Sequence, residues 1–522
     1  MTERGRPAAG VSQDARRGLT MDEVVAAVDV GTQTVRAALI DRGGNIRDLA
    51  SAALDLHIPG PGLAEQCPED WWEITAATLS KLLARRRRVR IAAVGVGAQM
   101  HGLVPVDAGG HSLSARVGIW SDKRASGIVR RLRQEGAVDE LTRVAGNLPL
   151  PAWSGIKAAW LREVDSHAYR RAHRLLVAKD FVNLQLTGRG RTDPTEASGS
   201  WLMDAATGDW SPRLMEALRV APDKLPPIVP SDQVIGSVRR AAASRTGLLT
   251  GTPVVCGAGD MLCQLAATGM THPGCSSEIS GTAAILATYT ELPGPPVRTM
   301  NLRTAGRGWA RFGIVDAGGA SLRWFADELC GTVDGDAAGS GTSRYDALSE
   351  GAAKVPPGAR GLVFLPHLLG ERTLGSAAAR GVLVGLTPEH GRAHLFRAIL
   401  EGICFDLRRY LDEIGVAGNR RALRVIGGGA RNPLWNQIRS DVYGLPVQRL
   451  ACDEGGLLGA ALLAMVGAGW YADLAEAAAG AVAVSDRYEP QPEAVARYDR
   501  AYRTYLAVHD AQAHLWESWP AP

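Results

Sequence analysis

The chain has 522 residues, 46% of them hydrophobic and 21% charged, with 58 Lys and Arg against 54 Asp and Glu for a net charge of +4. That is the composition of a globular protein able to build two to four domains. So small an excess of positive charge gives no support to a nucleic-acid binder. Seven cysteines, odd in number and irregularly spaced, make no disulfide framework and fit a reducing, cytoplasmic setting.

Residues 1–22 contain arginines but no apolar signal core and read as a disordered leader. "VVAAVDV" (24–30) reads as a buried strand, "GTQT" as a tight turn, and "VRAALID" (35–41) as a second strand. "RGGN" is a hairpin turn, and "IRDLASAALDL" a third strand. Pro68 opens a helix over 68–84, and the basic run "ARRRRVR" (84–90) closes it as a solvated end, where cations are favoured. "IAAVGVG" (91–97) is a further buried strand. A hairpin followed by alternating helix and strand predicts a mixed α/β sheet.

The opening recurs. "EISGTAA" (278–284) repeats "VDVGTQT" (28–34), with Gly-Thr between two apolar strands, about 250 residues later. Two such turns predict a duplicated fold whose lobes face a cleft. The expected division is 23–254 for an N-terminal lobe, 255–490 for a C-terminal lobe, and 491–522 for a terminal surface helix and tail. The Pro-rich stretch 223–232 is a candidate approach to the lobe boundary. "GRAHLFRAILEGICFDLRRYLDEIG" (391–415) reads as a long helix ended by Gly. "VIGGGARNPLWNQI" reads as strand, triple-glycine turn and helix. The uncharged stretch 455–472 is rich in Gly and Ala and reads as a buried helix packed closely on a neighbour, not as a membrane span.

Chemistry is possible at several of these turns. A Gly-Thr turn lets backbone N–H groups approach a phosphate, and the hydroxyls of Thr32 and Thr282 can add to the same anion. Asp29 beside such a phosphate calls for a cation, and Mg²⁺ suits one carboxylate with water and phosphate oxygens; alone, Asp29 reads equally as a turn cap. Gln99, Met100 and His101 follow the strand 91–97, where ligands gather in open α/β sheets. Trp120 can stack on a sugar face, and Asp122 can accept from hydroxyls. Each, taken alone, has a structural alternative. In "VVCGAGDMLCQL" (254–265) the cysteines lack metal-ligand spacing. Cys256 reads as strand core and Cys263 as helix core, with Asp260 at a strand-to-helix turn.

Taken in order, "DVGTQTVRAALID", "AEQCPEDWW", "GAQMHG", "IWSDKRA", "GAGDMLCQLAATGM", "ISGTAA", "FLPHLLGERT", "ARGVLVGLTPEHGRAHLFRAILEG" and "GGGARNPLWNQIRSDVYGLPV…EGGLLGAALLA" resemble the FGGY family of carbohydrate kinases, from about Val24 to about Leu515. The resemblance implies the two-lobed actin-like, ribonuclease H-like ATPase fold. It implies ATP and Mg²⁺ as cofactors and a small-molecule sugar as the acceptor. No nucleic-acid or membrane partner is expected, and a homodimer is admitted. It assigns Asp260 as catalytic base. Gln99, Met100, His101, Trp120, Asp122, Asp260 and Met261 fall at the sugar. Gly31, Thr32, Gln33, Gly281, Thr282, Gly428, Gly429 and Asn432 fall at ATP and its phosphates, and Asp29 at Mg²⁺, through water.

Within the family, "QMHG" is most similar to the xylulokinases, which makes D-xylulose the first expected substrate, with sedoheptulose, ribulose or a polyol as alternatives. Met261 where that group shows Asn, Ser121 after the tryptophan, Ala283 after the second turn and Leu374 in "ERTL" depart from its pattern. Two other classes stay open: an actin-like switching ATPase, and a sugar-binding relative without activity.

Overall fold

The computed structural model describes residues 22–85, 89–136, 138–330, 344–371, 378–415 and 422–518. Residues 1–21 of the expected leader, 86–88 of the basic run, and Leu374 lie outside them. The first sheet is built from β1 (Asp22–Val30), β2 (Thr34–Ile40), β3 (Ile46–Ala53), β4 (Val89–Ala98), β5 (Val234–Ser237), β6 (Pro253–Val255) and β7 (Ala258–Gly259). Their order is β3-β2-β1-β4-β6-β5, with β7 pairing beside β4. β1 is central: Val24 to Val28 and Val30 are all at most 1% exposed, which is why its sequence runs apolar without alternation.

The second sheet contains β8 (Ser276–Ser280), β9 (Ala284–Thr290), β10 (Met300–Arg303), β11 (Trp309–Val315), β12 (Leu423–Ile426), β13 (Val447–Leu450) and β14 (Val484–Tyr488), in the order β10-β11-β9-β8-β12-β13-β14. Strip off β10 and the two sheets superpose in pattern: β3-β2-β1-β4-β6-β5 against β11-β9-β8-β12-β13-β14. The senses agree pair by pair. β1 is antiparallel to β2 and parallel to β4; β8 is antiparallel to β9 and parallel to β12. The outer strands repeat the match, antiparallel for β5 on β6 and for β14 on β13. The repeated Gly-Thr turn was therefore the visible trace of a duplicated domain. A lobe ending at residue 254 stops inside β6, and β7, which leads into Asp260, belongs to the first sheet. The Pro-rich stretch 223–232 leads into β5 of that same sheet.

The helices that matter to the site are α1 (Pro68–Ala84), α2 (Ser154–Val164), α3 (Ala178–Thr187), α4 (Asp260–Ala267), α5 (Arg392–Ile414), α6 (Pro433–Tyr443), α7 (Gly455–Gly467) and α8 (Pro492–Ser518). α1 has Pro at its start, Glu69 and Asp70 in its first turn and Lys81 in its last, the arrangement a helix dipole favours. α5 ends on Gly415, whose φ of 67° places it in the left-handed region, the conformation glycine adopts without strain. α7 is the expected buried helix, and it joins the halves. It belongs to the second half by sequence, yet it packs on β1, β4 and α4. A Cβ on Gly459 would lie 1.9 Å from the Cys263 carbonyl oxygen of α4, so only glycine permits that approach. α8 is less of a surface helix than its composition suggests. Ala494, Tyr498, Tyr502, Tyr505 and His509 are buried at three- and four-residue spacings, with Trp516 two turns further on, one helical face laid on the second core.

Candidate active site

Three strands bring the two carboxylates together. Asp29 of β1 pairs in register with Gly97 of β4, and Gly97 with Ala258 of β7. With neighbouring strands about 4.8 Å apart, Asp29 and Ala258 are separated by roughly 10 Å of sheet. Asp260 follows two residues on, as the first residue of α4. One of its oxygens accepts the Met261 N–H at 2.7 Å. Burial raises its pKa to about 7, and the negative charge of Asp29 adds to the rise. Asp29 itself is raised to about 6 by burial, with Arg36 opposing and Glu454 assisting. Its Oδ1 is buried without a hydrogen-bond partner. The N-terminus of α7 abuts this carboxylate: a Cβ on Gly456 would lie 2.6 Å from Asp29 Oδ2.

Each Gly-Thr turn bonds internally. The Gly31 N–H donates to Thr34 O at 2.9 Å and the Gly281 N–H to Ala283 O at 2.9 Å. The glycines expected to meet phosphate with their own N–H thus hold the turn closed, leaving the N–H groups of Thr32, Gln33 and Thr282 as those the turns can present. Gln33, Gly281 and Thr282 are exposed. The second turn is pinned from behind by Gly319 N–H on Gly281 O and Ala320 N–H on Thr282 O. Gly428 is exposed too, and a Cβ there would meet open space. Gly429 instead faces the Trp435 ring and Ser280. Asn432 caps α6, accepting from the Trp435 N–H at 3.1 Å and donating to Ser349 at 2.8 Å. It therefore shapes the glycine turn with most of its amide.

On the sugar side the structure divides the expected residues. Trp120 is 38% exposed and donates its indole N–H to Thr32 Oγ1 at 3.0 Å, tying it to the first Gly-Thr turn. His101 has φ 70° and is held by the edge of Trp153, ring centroids 4.9 Å apart. Lys157 donates to His101 O at 3.0 Å and Ile119 O at 2.6 Å, and burial lowers its pKa to about 7. Four of the expected sugar residues are buried and already engaged within the protein. Gln99 is 1% exposed and donates to Gly31 O at 3.3 Å and to Gln66, so it supports the turn instead of meeting a sugar. Asp122 is 1% exposed. Its two oxygens take four donors: Arg124 N, Arg124 Nε, Arg124 Nη2 and Ala64 N, at 2.7–2.9 Å. That fills a carboxylate's acceptor capacity, so Asp122 braces a loop. Met100 and Met261 are 5% and 9% exposed; Met100 lies over Gly259 and forms the floor beneath Asp260, while Met261 packs in the core.

The family follows from comparison with known proteins. The profile of the "FGGY family of carbohydrate kinases, N-terminal domain" matches residues 24–269, and that of its C-terminal domain matches residues 278–468. This chain belongs to the FGGY family of carbohydrate kinases. It is 28% identical over 492 residues to the xylulose kinase of Bacillus subtilis, covering 93% of this chain and 96% of that one. It is 30% identical over 528 residues to the autoinducer-2 kinase of Yersinia enterocolitica, covering 96% and 98%. The crystal structure of xylulose kinase from Rhodospirillum rubrum is 29% identical and superposes with a TM-score of 0.86, covering 95% of this chain and all of that one. No helix among the described residues is long and apolar enough to cross a membrane.

An FGGY kinase uses ATP, and the residues around Asp29 suit its metal. The buried, unpartnered Oδ1 of Asp29, beside the first Gly-Thr turn, is the kind of oxygen donor that suits a hydrated Mg²⁺. The structure also supplies residues of this kinase that the sequence did not single out. Gln66 accepts from Trp71 at 3.0 Å and donates to Thr32 O at 2.7 Å. Glu196 lies in the short helix Pro194–Ser198 with both carboxyl oxygens buried and unpartnered. Burial raises its pKa well above the ordinary value, against the pull of Lys179 and helped by Asp180, Asp193 and Asp260. Gln66 was visible inside "AEQCPEDWW", but nothing local marked its partners.

Proposed function

We propose that this kinase transfers the γ-phosphoryl group of ATP to the terminal hydroxyl of a ketose, with D-xylulose as substrate and D-xylulose 5-phosphate as product. The observation that carries the reading is Asp260, a carboxylate at the start of α4 whose pKa near 7 suits a general base at neutral pH. Asp260 accepts the proton of the attacking hydroxyl and orients its oxygen toward the γ-phosphorus. Phosphoryl transfer runs through a loose transition state in which positioning and charge neutralisation dominate. The N–H groups after Gly31 and Gly281 face the phosphates from the two lobes. His101 and the exposed face of Trp120 hold the sugar chain. Asp29, through water, holds Mg²⁺, which supplies positive charge to the phosphate oxygens when bound. Gly428 and Gly429 give the nucleotide base a flat backbone surface.

D-Xylulose is favoured by the names of the relatives in Bacillus subtilis and Rhodospirillum rubrum together with the run "QMHG" (99–102). A coupled ADP-release assay over D-xylulose, D-ribulose, sedoheptulose, a polyol and autoinducer-2 tests it. D-Xylulose is expected to give the highest kcat/KM. A preference of tenfold or more for another acceptor would overturn the substrate and leave the kinase standing. Dependence on ATP and seven cysteines outside any disulfide support a cytoplasmic setting.

A further inference from the structure

His367, Glu371 and His509 form a second polar cluster, and none of the three takes part in the site above. Each is at most 5% exposed, and one ligand-type atom from each lies within 4.8 Å of the other two. His367 follows the strand Val363–Leu365, and His509 comes from α8, so the cluster joins a loop of the second lobe to the terminal helix. We propose that these residues form a structural site for a zinc-type dication, bound through two imidazoles and one carboxylate oxygen.

Each residue is prepared for that role. The Nε2 of His367 is buried with no hydrogen-bond partner, a position that burial penalises unless a ligand fills it. Glu371 is oriented by Arg409, whose Nη1 lies 2.6 Å from Oε1. That leaves Oε2 beside His509 Nε2 at 3.0 Å. Donors around a tetrahedral zinc ion lie about 3.3 Å apart, given bonds near 2.0 Å, so two of the three are already in place and the third, within 4.8 Å of both, needs to close by up to about 1.5 Å. An outer partner that fixes a metal-binding carboxylate is the usual second layer of such sites, and Arg409 is anchored in turn on Asp406 at 2.6 Å. Glu371, Asp406 and Arg409 sum to one negative charge, so a dication is not repelled. The edge of Trp516 covers both imidazoles, at 5.5 and 5.2 Å. Asp510, next along from His509, is 83% exposed in its side chain, which sets the cluster one residue from solvent. Two nitrogen donors select a zinc-type ion over Mg²⁺, which prefers oxygen.

The alternative is a hydrogen-bonded His509–Glu371–Arg409 chain with His367 as a bystander, and His367→Asn separates the two because it breaks no hydrogen bond of that chain. The full-length protein, stripped of metal by a chelator, is titrated with Zn²⁺ by calorimetry and by melting, and Co²⁺ is used as a spectroscopic probe. One equivalent is expected to bind, raise Tm and give the visible bands of tetrahedral cobalt without a thiolate charge-transfer band. His367→Asn is expected to weaken binding by at least about 100-fold, beyond the ~10–100-fold typical of losing an outer partner. His390→Asn and Cys275→Ser, which alter an exposed His390–His394 contact and a Cys275–His272 contact, are expected to leave it intact. Absence of a stoichiometric site, unchanged binding in His367→Asn, or loss in Cys275→Ser would each overturn the proposal.

Discussion

Replacing Asp260 by Asn removes the proposed base and at the same time relieves a buried charge, so activity and stability are expected to move in opposite directions. The carboxyl titrates near 3.8 when unfolded and near 7 when folded. Between those values the folded state holds a proton that the unfolded state has lost, so stability falls as pH rises, and above about 7 the full cost of the buried charge is present. A shift of about 3 units at ~1.4 kcal/mol each sets an upper limit of about 4 kcal/mol. Sharing with Asp29 and relaxation reduce this, and about 1–3 kcal/mol is expected. Asn keeps the acceptor for the Met261 N–H. At about 2 °C per kcal/mol for a lobe of this size, Asp260→Asn should melt about 2–6 °C above the parent at pH 8. At pH 5 the gain should shrink to roughly a third, since only that share of the interval from 3.8 to 7 has been crossed. Calorimetric melting of both proteins across this range is the assay. A variant that is less stable at pH 8, or a gain independent of pH, would refute a buried, strained carboxylate at this position.

Four further outcomes follow from the same geometry. The sugar kcat/KM should rise with pH through an acid limb near 7, since the base must be ionised, and Asp29→Asn should move the limb of the residual activity downward because a like charge is gone; an unmoved limb would uncouple the two carboxylates. Gly456→Ala puts a methyl 2.6 Å from Asp29 Oδ2 and should lower kcat/KM for MgATP by about tenfold or more, on the order of 1.4 kcal/mol, with unchanged circular dichroism. Lys157→Met removes two hydrogen bonds that hold the His101 loop; sugar KM should rise while ATP KM stays, at a stability cost of about 1–3 kcal/mol. Arg124→Ala strands the buried Asp122 and should destabilise by about 3–5 kcal/mol. If it instead left stability intact and raised only sugar KM, Asp122 would be a sugar ligand after all.

Much of the fold was legible because its signals are local. The Gly-Thr repeat, the apolar β1 and β4, and the helix from Pro68 to Ala84 are each set by neighbours in sequence. The position of Asp260 at a strand-to-helix turn was legible too, while its role as base came from the family resemblance. What escaped was pairing at a distance. Gly456 meets Asp29 across almost the whole chain, and Arg36 pairs with Glu454 at 2.7 Å; no periodicity encodes either. The lobe boundary escaped for a similar reason, because β6 and β7 complete a sheet begun at residue 22. Gln99 and Asp122 were placed at the sugar by the family resemblance, and burial and donor count show that their groups are already engaged within the protein.

The central claim is that ATP turnover here is coupled to a hydroxyl acceptor through Asp260. The most direct measurement is the ratio of phosphorylated sugar, by mass spectrometry, to ADP, with D-xylulose present and absent, for the parent and Asp260→Asn. The account predicts a ratio near one, negligible ADP without sugar, and a loss of about 10²–10⁴-fold in the variant. ADP formed without phosphosugar, or a folded Asp260→Asn of near-parental activity, would contradict it.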